Sequence, residues 1–340
     1  MERKTLKDIA KDLNLSISTV SKALSDSYEI SQKTKSIVKQ YALKHHYIPN
    51  KIAQTLKTGK TYSIGVIVFN ISNTFISQVL DGIHMAAEKQ QYDIIIMQSR
   101  DNVDIEKHLI DVLKIRGIDG LLISPVSYNS NYNCLKKLQE LGIPVVIFDR
   151  INHELKTHKV GVDNFNGAYL ATKHLIENGK RKILHITARN LGVTQDRFNG
   201  FKKCLKDHHV FLDPSLYIEC DYGKHEEIEH IIKTKILACK ANNKRIDAIF
   251  GATDEITTLT IGILAELNIK VPEEIAVIGF SNIRFANALN PALSTIVQPT
   301  EQMGRLAFEK LIEMINTKHQ NYEYQNFELD SKMIVRKSSL

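Results

Sequence analysis

From residue 62 onward, short apolar segments of strand length alternate with amphipathic segments of helix length, and this alternation constrains the fold more than any other feature. Alternating strands and helices form right-handed βαβ units, which assemble into parallel sheets covered by helices. The predicted strands form two series, which are Ile64–Phe69, Asp93–Gln98, Gly120–Ser124 and Pro144–Phe148, and then Ile183–Thr187, Ala248–Gly251 and Ile275–Gly279. The predicted helices lie near 75–90, 104–115 and 131–141, and near 165–178, 195–207, 225–240 and 254–266. Two series predict two doubly wound lobes.

The first sixty residues have a different pattern, in which helical periodicity is interrupted by short polar turns. Thr5 and Asp8 have the spacing of a capping box at the start of a first helix. Ser16 is expected to cap a second helix after a turn at Asn14, and Ser31 is expected to cap a third. Two short helices joined by a tight turn and supported by a third form a helix-turn-helix domain.

The charge of the chain is concentrated in the same segment. Residues 1–60 hold 12 Lys and Arg and 5 Asp and Glu, whereas the rest of the chain holds 33 of each sign. The whole formal net charge of +7 therefore lies in the first sixth of the sequence. A small basic domain beside a neutral larger one indicates a nucleic-acid-binding head on a sensor domain.

The outward face of the second helix is predicted to read DNA. Its inward residues are Val20, Ala23 and Leu24, which leaves Ile17, Ser18, Ser21 and Lys22 on the outward side. The N-terminus of a recognition helix meets base edges, where Lys can donate to guanine and Ile can pack on a thymine methyl group. Hydroxyls at the helix starts, on Ser16, Thr19, Ser31 and Thr34, are candidates for phosphate contacts.

A short segment after the third helix has the sequence of a helix that is only marginally stable alone. Pro49 ends the preceding helix, Asn50 can cap a new one, and the next seven residues would make two turns. We expect residues 49–60 to form a hinge helix and linker that orders only when DNA packs against it.

Three motifs taken together identify a family. They are Thr5-Leu6-x-Asp8-Ile9-Ala10, Ser16-x-x-Thr19-Val20-Ser21-Lys22-Ala23-Leu24 and Tyr47-x-Pro49-Asn50-x-x-Ala53-x-x-Leu56. They resemble the DNA-binding head and hinge of the LacI/GalR repressor family, and the similarity continues through nearly the whole chain. The resemblance implies that the hinge helix folds in the DNA minor groove and that Leu56 wedges open a central base step. The complete set predicted to contact DNA is Thr5, Ser16, Ile17, Ser18, Thr19, Ser21, Lys22, Ser31, Thr34, Asn50, Ala53 and Leu56.

Polar and aromatic residues follow the predicted strands, where ligands of doubly wound sheets bind. The segments concerned are Asn70–Phe75, Asp149–Arg150, Thr194–Phe201, Asp221–Tyr222, Thr253–Glu255 and Phe280–Asn282. Carboxylates, amides and guanidinium groups hydrogen-bond sugar hydroxyls, and an aromatic ring covers an apolar sugar face. The sequence therefore predicts a sugar-type effector bound between the lobes. A nucleobase or another non-sugar metabolite is the alternative.

The family resemblance supports this pocket at individual positions. It implies ligand contacts by Asp149, Arg197, Tyr222 and Asp254, whereas many members carry an acid where this chain has Ser281. The resemblance therefore implies no particular arrangement of ligand hydroxyls for this chain. The predicted ligand-binding set is Asn73, Phe75, Asp149, Arg150, Arg197, Tyr222, Asp254, Ser281 and Asn282.

The expected fold is a small all-α helix-turn-helix head plus an α/β sensor of two doubly wound parallel-sheet lobes, similar to periplasmic binding proteins. The expected boundaries are 1–48 for the head, 49–60 for the hinge and 61–340 for the sensor. Lobe 1 is expected to comprise about 61–162 and 298–325, and lobe 2 about 163–293 and 326–340. The expected partners are palindromic double-stranded operator DNA, a small-molecule effector and a second copy of the chain in a homodimer.

Two rival classes fit the sequence less well. A periplasmic sugar-binding protein would need an export signal, yet the basic start of the chain is followed by no apolar segment, so a cytoplasmic, nucleoid-associated regulator is expected. An enzyme would need a catalytic motif. Gly59-Lys60-Thr61 resembles the end of a phosphate-binding loop, but Gln54 stands where such a loop needs its first glycine. His225 and His230 are five residues apart, so they do not share one helical face as the histidines of a zinc-binding motif do. The four scattered cysteines include no CxxC pair, so no catalytic residue, metal, cofactor or membrane contact is predicted.

Overall fold

A computed structural model describes residues 4–47, 59–189, 192–221, 224–242, 245–317 and 323–340. The chain divides into two compact units, Met1–Thr61 and Tyr62–Leu340. Four residues of the predicted sites, Asn50, Ala53, Leu56 and Tyr222, lie outside the described residues, as does most of the predicted hinge.

The first unit has the predicted helix-turn-helix order. Its helices are α1 (Leu6–Asp12), α2 (Ile17–Leu24) and α3 (Gln32–Lys44). Thr5 and Asp8 form the predicted capping box, in which the Thr5 amide donates to the Asp8 carboxylate at 2.8 Å. Ser16 and Ser31 cap the next two helices by accepting from the amides of Thr19 and Thr34. The predicted caps thus mark the start of each of the three helices described in this unit.

The core of the first unit is small and apolar. Its fully buried residues include Ile9, Val20 and Val38, one from each helix. The third helix departs from simple periodicity because Ile37 is 46% exposed, whereas Lys35 is buried and donates to the Asp26 carbonyl at 3.0 Å. A buried ammonium group needs such a partner, and the Asp26 carboxylate lies 3.5 Å from it.

The second unit contains two sheets in which parallel strands predominate. The strands of the first sheet lie in the order β11-β5-β4-β3-β1-β2, and those of the second in the order β12-β10-β9-β8-β6-β7. Only β12 is antiparallel to its neighbour among the described strands. The first-sheet strands are β1 (Ser63–Val68), β2 (Asp93–Gln98), β3 (Gly120–Ile123), β4 (Val145–Phe148), β5 (Lys159–Val162) and β11 (Asn326–Leu329). The second-sheet strands are β6 (Ile183–Ala188), β7 (Tyr217–Cys220), β8 (Ala248–Gly251), β9 (Ala276–Phe280), β10 (Ser294–Val297) and β12 (Lys332–Ile334).

Helices between the strands cover both sheets, as the alternation predicts. The helices are α4 (Thr74–Lys89), α5 (Val103–Ile115), α6 (Tyr132–Glu140), α7 (Asn164–Glu177), α8 (Gly192–Asp207), α9 (His225–Ala241), α10 (Asp254–Glu266) and α11 (Thr300–Asn316). The central strands are buried throughout, which explains their continuous apolar sequences. Gly200 lets α8 lie directly on α7, because a Cβ there would collide with the Phe165 carbonyl oxygen.

The chain passes between the two sheets at three described places, after β5, after β10 and after β11. The last passage corrects the expected lobe boundary. Residues 326–329 form β11, which pairs with β5 in the first sheet, so the assignment of 326–340 to lobe 2 is wrong for this strand. The pairing joins residues more than 160 positions apart, and local sequence does not specify it.

Each sheet has one point where the strand order reverses. In the first sheet β1 lies between β2 and β3, and in the second β6 lies between β7 and β8. Ligands of doubly wound sheets bind outside the carboxyl ends of the strands at such points. Within the described ranges, no helix combines the length and the apolar character needed to cross a membrane.

Candidate functional site

In the first unit, the N-terminal half of α2 presents the predicted base-reading residues. Ile17 is 45% exposed and Ser18 is also exposed, whereas Val20 and Ala23 are completely buried on the opposite face. The residues at the start of α2 are therefore available to a partner, and those that face the core hold the helix in place.

The side chain of Lys22 already has a partner in the free head. Its ammonium group forms a hydrogen-bonded ion pair with the Glu29 carboxylate, and both side chains remain partly exposed. The sequence predicts a DNA contact for Lys22 but not this ion pair. Glu29 lies in the loop before α3, where no helical periodicity relates it to Lys22.

The candidate phosphate-contacting hydroxyls are the helix caps themselves. The Ser16 and Thr19 hydroxyls are 2.8 Å apart, and those of Ser31 and Thr34 are 2.9 Å apart. The Thr5 hydroxyl donates to the Asp8 carboxylate at 2.7 Å. Each hydroxyl has two acceptor sites and one donor, so capping leaves capacity for a further contact.

In the second unit, a pocket of about 60 Å³ lies where the two sheets face each other at their strand ends. Six of the nine predicted ligand-binding residues line it, namely Asn73, Phe75, Asp149, Arg150, Arg197 and Asp254. We call this space the inner pocket. Its other lining residues are Phe69, Val193, Thr253 and Gln298.

Arg197 is the most heavily engaged side chain of the inner pocket. Its guanidinium group donates to Asn164 Oδ1 at 2.8 Å, to the Ala252 carbonyl at 2.6 Å and to Gln298 Oε1 at 2.9 Å. It also stacks on the Phe280 ring, 3.8 Å from the ring centroid. Arg197 therefore organises the pocket as well as facing it.

Asp149 and Arg150 form the opposite wall, on the loop that follows β4. Arg150 pairs with Asp101 at 2.6 Å and donates to the Val126 carbonyl, and Asp149 accepts from the Ser124 hydroxyl at 3.0 Å. Burial raises the pKa of Asp149, and the nearby Arg150 guanidinium acts in the opposite direction.

Asp254 and Ser281 lie together on the second-lobe side. The Ser281 hydroxyl donates to the Asp254 carboxylate, so the serine that replaces the family's acid supports a neighbouring acid instead. Burial raises the pKa of Asp254, and the hydrogen bond from Ser281 lowers it. Asp254 lines the inner pocket, whereas the predicted contact residue Ser281 lies behind it and is not part of the lining.

Asn282 has a different position from the one expected. It is buried and does not line the inner pocket, because its amide donates to the Gln298 carbonyl at 2.8 Å and to Gln78 Oε1 at 3.2 Å. Gln78 lies on α4 of the first lobe, so Asn282 joins the lobes rather than facing the pocket.

A larger space of about 780 Å³ continues from the inner pocket, sharing Asp149, Arg150 and Val193 with it. We call it the outer cavity. Several residues that line it were not among the predicted ligand-binding residues, namely Tyr128, Phe165, Thr187, Tyr217 and Glu219. A signal existed for Thr187, the last residue of a predicted strand, but β7 was not predicted, so Tyr217 and Glu219 had no expected location.

Within the described ranges, no group of three or more His, Cys, Asp or Glu residues could hold a metal ion. The pocket polar groups are held by the protein's own hydrogen bonds, as in a recognition site.

Comparison with known proteins gives a consistent result for both units. Residues 5–50 match the model for bacterial regulatory proteins of the lacI family, and residues 172–339 match the model for the periplasmic binding protein-like domain.

Full-length relatives and solved structures are also similar. The HTH-type transcriptional repressor PurR of Aliivibrio fischeri is 32% identical over 98% of both chains. The ribose operon repressor of Haemophilus influenzae is 30% identical over 98% of both chains. A crystal structure of the lac repressor dimer bound to operator and the anti-inducer ONPF covers 100% of both chains with a TM-score of 0.86 at 20% identity, which supports the fold alone.

Proposed function

The chain belongs to the lacI family of bacterial regulatory proteins, and we propose that it is a homodimeric repressor of carbohydrate-utilisation genes whose operator affinity is controlled by a sugar-type effector. The head would bind a palindromic operator, and the effector would lie between the two lobes of the sensor. Such a regulator acts in the cytoplasm on the nucleoid.

One observation supports this proposal above the others. The same chain carries a capped helix-turn-helix unit with an exposed α2 N-terminus and a two-sheet unit with a polar cavity at its strand ends. A protein that binds a small molecule but does not bind DNA needs only the second unit. A regulator that responds to a small molecule needs both.

Selection of bound duplexes from a random DNA pool tests the DNA-binding part. A single head buries too little surface for specific affinity, so a dimer should recover inverted repeats. Recovery of one asymmetric half-site would argue against the homodimer. The selected duplex then serves to measure operator affinity with and without candidate effectors.

A nucleobase is the second candidate for the effector, and one feature favours it. The inner pocket combines Phe69 and Phe75 with Arg197 and Asp254, a set that could stack a planar ring and hydrogen-bond its edge. Hypoxanthine and guanine therefore belong beside sugars in the same titration. The ligand that changes operator affinity at the lowest concentration identifies the class.

A further inference from the structure

The loop between α2 and α3 carries an exposed tyrosine beside the recognition helix, and we propose that the Tyr28 hydroxyl donates a hydrogen bond to a phosphate of the operator. Tyr28 is not among the residues predicted from the sequence to contact DNA. This inference rests on the proposed binding of operator DNA by the head. It adds a contact that would hold the head in position on the duplex.

A hydrogen-bonded turn holds the backbone of Tyr28 in place. The Ile30 amide donates to the Ser27 carbonyl at 3.3 Å, which makes Tyr28 and Glu29 the two central residues of a β-turn. Ile30 packs on the apolar core of the head, and the Ser27 amide donates to the Lys22 carbonyl in α2 at 3.0 Å. Both ends of the turn are therefore anchored, so a contact made by Tyr28 would require little further ordering of the backbone.

The side chain of Tyr28 extends into solvent from this fixed turn. It is 94% exposed, more than any other large hydrophobic residue in the described ranges, and no described residue forms a hydrogen bond with its phenol. Single exposed rings are common on protein surfaces, so exposure alone does not identify a contact. A held backbone that carries an unengaged phenol next to a predicted DNA-binding face is a more specific combination.

Two links place the turn on the predicted DNA-binding side of the head. Glu29, the neighbour of Tyr28 in the turn, is paired with Lys22, which is predicted to read a base. Ser31, which caps α3 and is predicted to contact phosphate, lies three residues after Tyr28, so their Cα atoms are at most about 11 Å apart. Tyr28 therefore lies close to a predicted base contact and to a predicted phosphate contact.

The charges around the turn allow a phosphate to approach. Two acids lie in or beside the turn, and each is paired, Glu29 with Lys22, and Asp26 with Lys39 at 2.9 Å and with Lys35 at 3.5 Å. Three ammonium groups thus face two carboxylates, so the turn has no excess of negative charge. A phenol offers a single donor, which suits a phosphate oxygen better than the two-point patterns that identify bases.

Tyr28→Phe removes the hydroxyl and keeps the ring, so it tests the contact directly. A net hydrogen bond is worth about 2- to 10-fold in affinity, and the proposed dimer would lose one in each head, so operator affinity should fall about 4- to 100-fold. Fluorescence anisotropy of the full chain with the selected operator duplex measures it. The thermal midpoint of the free protein should stay the same, because no described residue bonds to the phenol. A smaller fall in affinity, or a fall accompanied by a lower thermal midpoint, would overturn the inference.

Single-base operator variants and salt distinguish a phosphate contact of Tyr28 from a base contact. Loss of a phosphate contact should weaken binding to all variants by the same factor, whereas loss of a base contact would relax the preference at one position. A neutral donor releases no counterion, so the slope of log affinity against log salt should not change. A loss confined to one base position would overturn the inference, whereas failure of the parent chain to select any operator would remove the proposed function.

Tyr169→Phe is the matched control for the loss of a phenol. The Tyr169 hydroxyl belongs to the second unit and donates to the Asp207 carboxylate at 3.2 Å, so its removal should leave operator affinity unchanged. Equal losses of operator affinity in Tyr28→Phe and Tyr169→Phe would contradict a specific contact by Tyr28.

Tyr28→Lys and Leu43→Lys test whether the turn lies beside the DNA backbone. Both add one positive charge to the head, and Leu43 is 76% exposed near the end of α3, about 18 Å along the helix from Ser31. Because the Debye length is about 10 Å at 0.1 M salt, only the charge added at the turn should neutralise a phosphate. The salt slope should therefore steepen by about 2 per dimer for Tyr28→Lys and by less for Leu43→Lys. Equal slopes for the two variants would overturn the inference.

Discussion

The ammonium group of Lys22 on the recognition helix is paired with the carboxylate of Glu29, seven residues further along the chain. The residue predicted to read a base is therefore held by an acid of its own domain before any DNA is present. Both side chains are more than one-third exposed, so the pair is worth at most about 1 kcal/mol and can be exchanged for a base. If Lys22 contacts a base as predicted, this exchange contributes to both the affinity and the selectivity of the head.

Lys22→Ala should weaken binding to the selected operator by about 1–3 kcal/mol and relax the preference at one base position. The reason is that a base-edge contact carries sequence information, whereas a phosphate contact does not. Binding to a set of single-base operator variants measures the effect. A uniform loss across all variants would show that Lys22 contacts only phosphate.

Glu29→Gln should raise DNA affinity, by up to about fivefold, because it removes the competitor for Lys22 and one negative charge near the phosphates. The gain should apply to operator and random DNA alike, so selectivity should stay constant. Fluorescence anisotropy at several salt concentrations measures both constants. A loss of operator affinity would indicate instead that Glu29 itself accepts from a cytosine amino group.

Much of the fold was predictable because its signals are local. The Thr5–Asp8 capping box and the apolar strands β1 to β4 depend on residues close in sequence. The strands β5, β7, β10, β11 and β12 were not predicted. Of these, β7, β11 and β12 lack a continuous apolar sequence because their side chains are only partly buried. Helix α11 was also missed, although Met303, Ala307 and Leu311 recur at helical spacing and were available as a signal.

The candidate site was predictable in location but less so in the role of each residue. Sequence position places Asp149, Arg197 and Asp254 at strand ends, and all three line one pocket. It does not show that Asn282 turns away toward Gln78, or that Arg197 is engaged by Ala252 and Gln298. Those contacts depend on how two lobes built from distant segments meet.

Asp149→Asn is expected to abolish the effector response while preserving folding and operator binding. Asp149 has a φ of 63°, a left-handed conformation that Asn tolerates and Ala does not, and the amide oxygen can still accept from Ser124. Operator titrations with and without the effector measure the response. A variant that still responds to the effector at the original concentrations would show that Asp149 does not contact the ligand.

Arg197→Ala, by contrast, should lower the free energy of unfolding by several kcal/mol. It should also reduce the response of operator affinity to the effector. It leaves Asn164, Ala252 and Gln298 without a donor in a buried site, at about 1–3 kcal/mol for each unsatisfied group. Urea unfolding of the two variants side by side measures the difference. Equal stability of Arg197→Ala and the parent would show that these hydrogen bonds are not needed for folding.

The fully buried His185 should make the sensor unit sensitive to acid. Burial lowers the pKa of His185 to about 3, and neither ring nitrogen has a hydrogen-bond partner among the described residues. In the unfolded chain the imidazole takes up a proton below about pH 6.5. The contribution of the neutral, buried His185 to the free energy of unfolding is therefore complete above that pH and is lost as the pH falls toward 3. His185→Phe keeps a ring stacked beside Phe201 and removes this contribution.

The difference in unfolding free energy between the two proteins should therefore shift by about 1.4 kcal/mol per pH unit below pH 6.5. Urea unfolding at pH 7.5 and pH 5.5 measures it, and other titrating groups cancel in the difference. Parallel pH dependences for parent and variant would mean that His185 is protonated or exposed in the folded protein.

Gln78 should transmit effector binding from one lobe to the other. Its side chain donates to the Asn282 carbonyl at 2.8 Å and accepts from the Thr300 hydroxyl at 2.9 Å, and Asn282 is linked through Gln298 to Arg197. A continuous set of buried hydrogen bonds thus joins the inner pocket to α4 of the first lobe. A ligand that changes the position of Arg197 would change the contacts that hold α4.

Gln78→Leu keeps the size of the side chain but removes the hydrogen bonds that it makes to Asn282 and Thr300, so effector affinity should change little while the effect of effector on operator affinity shrinks. Coupling in allosteric proteins is usually 5- to 150-fold, at about 1–3 kcal/mol, and we expect the variant to retain less than one-third of the parent's factor. Operator affinity with and without saturating effector gives the factor, and effector affinity with and without operator must give the same value by linkage. Ser77→Ala, on the next position of α4, is the control, since its hydroxyl is exposed and bonds only within the helix, to the Thr74 carbonyl. An unchanged factor in Gln78→Leu would mean that the lobes communicate through other contacts, and a parallel loss of effector affinity would mean that Gln78 shapes the pocket instead of coupling it.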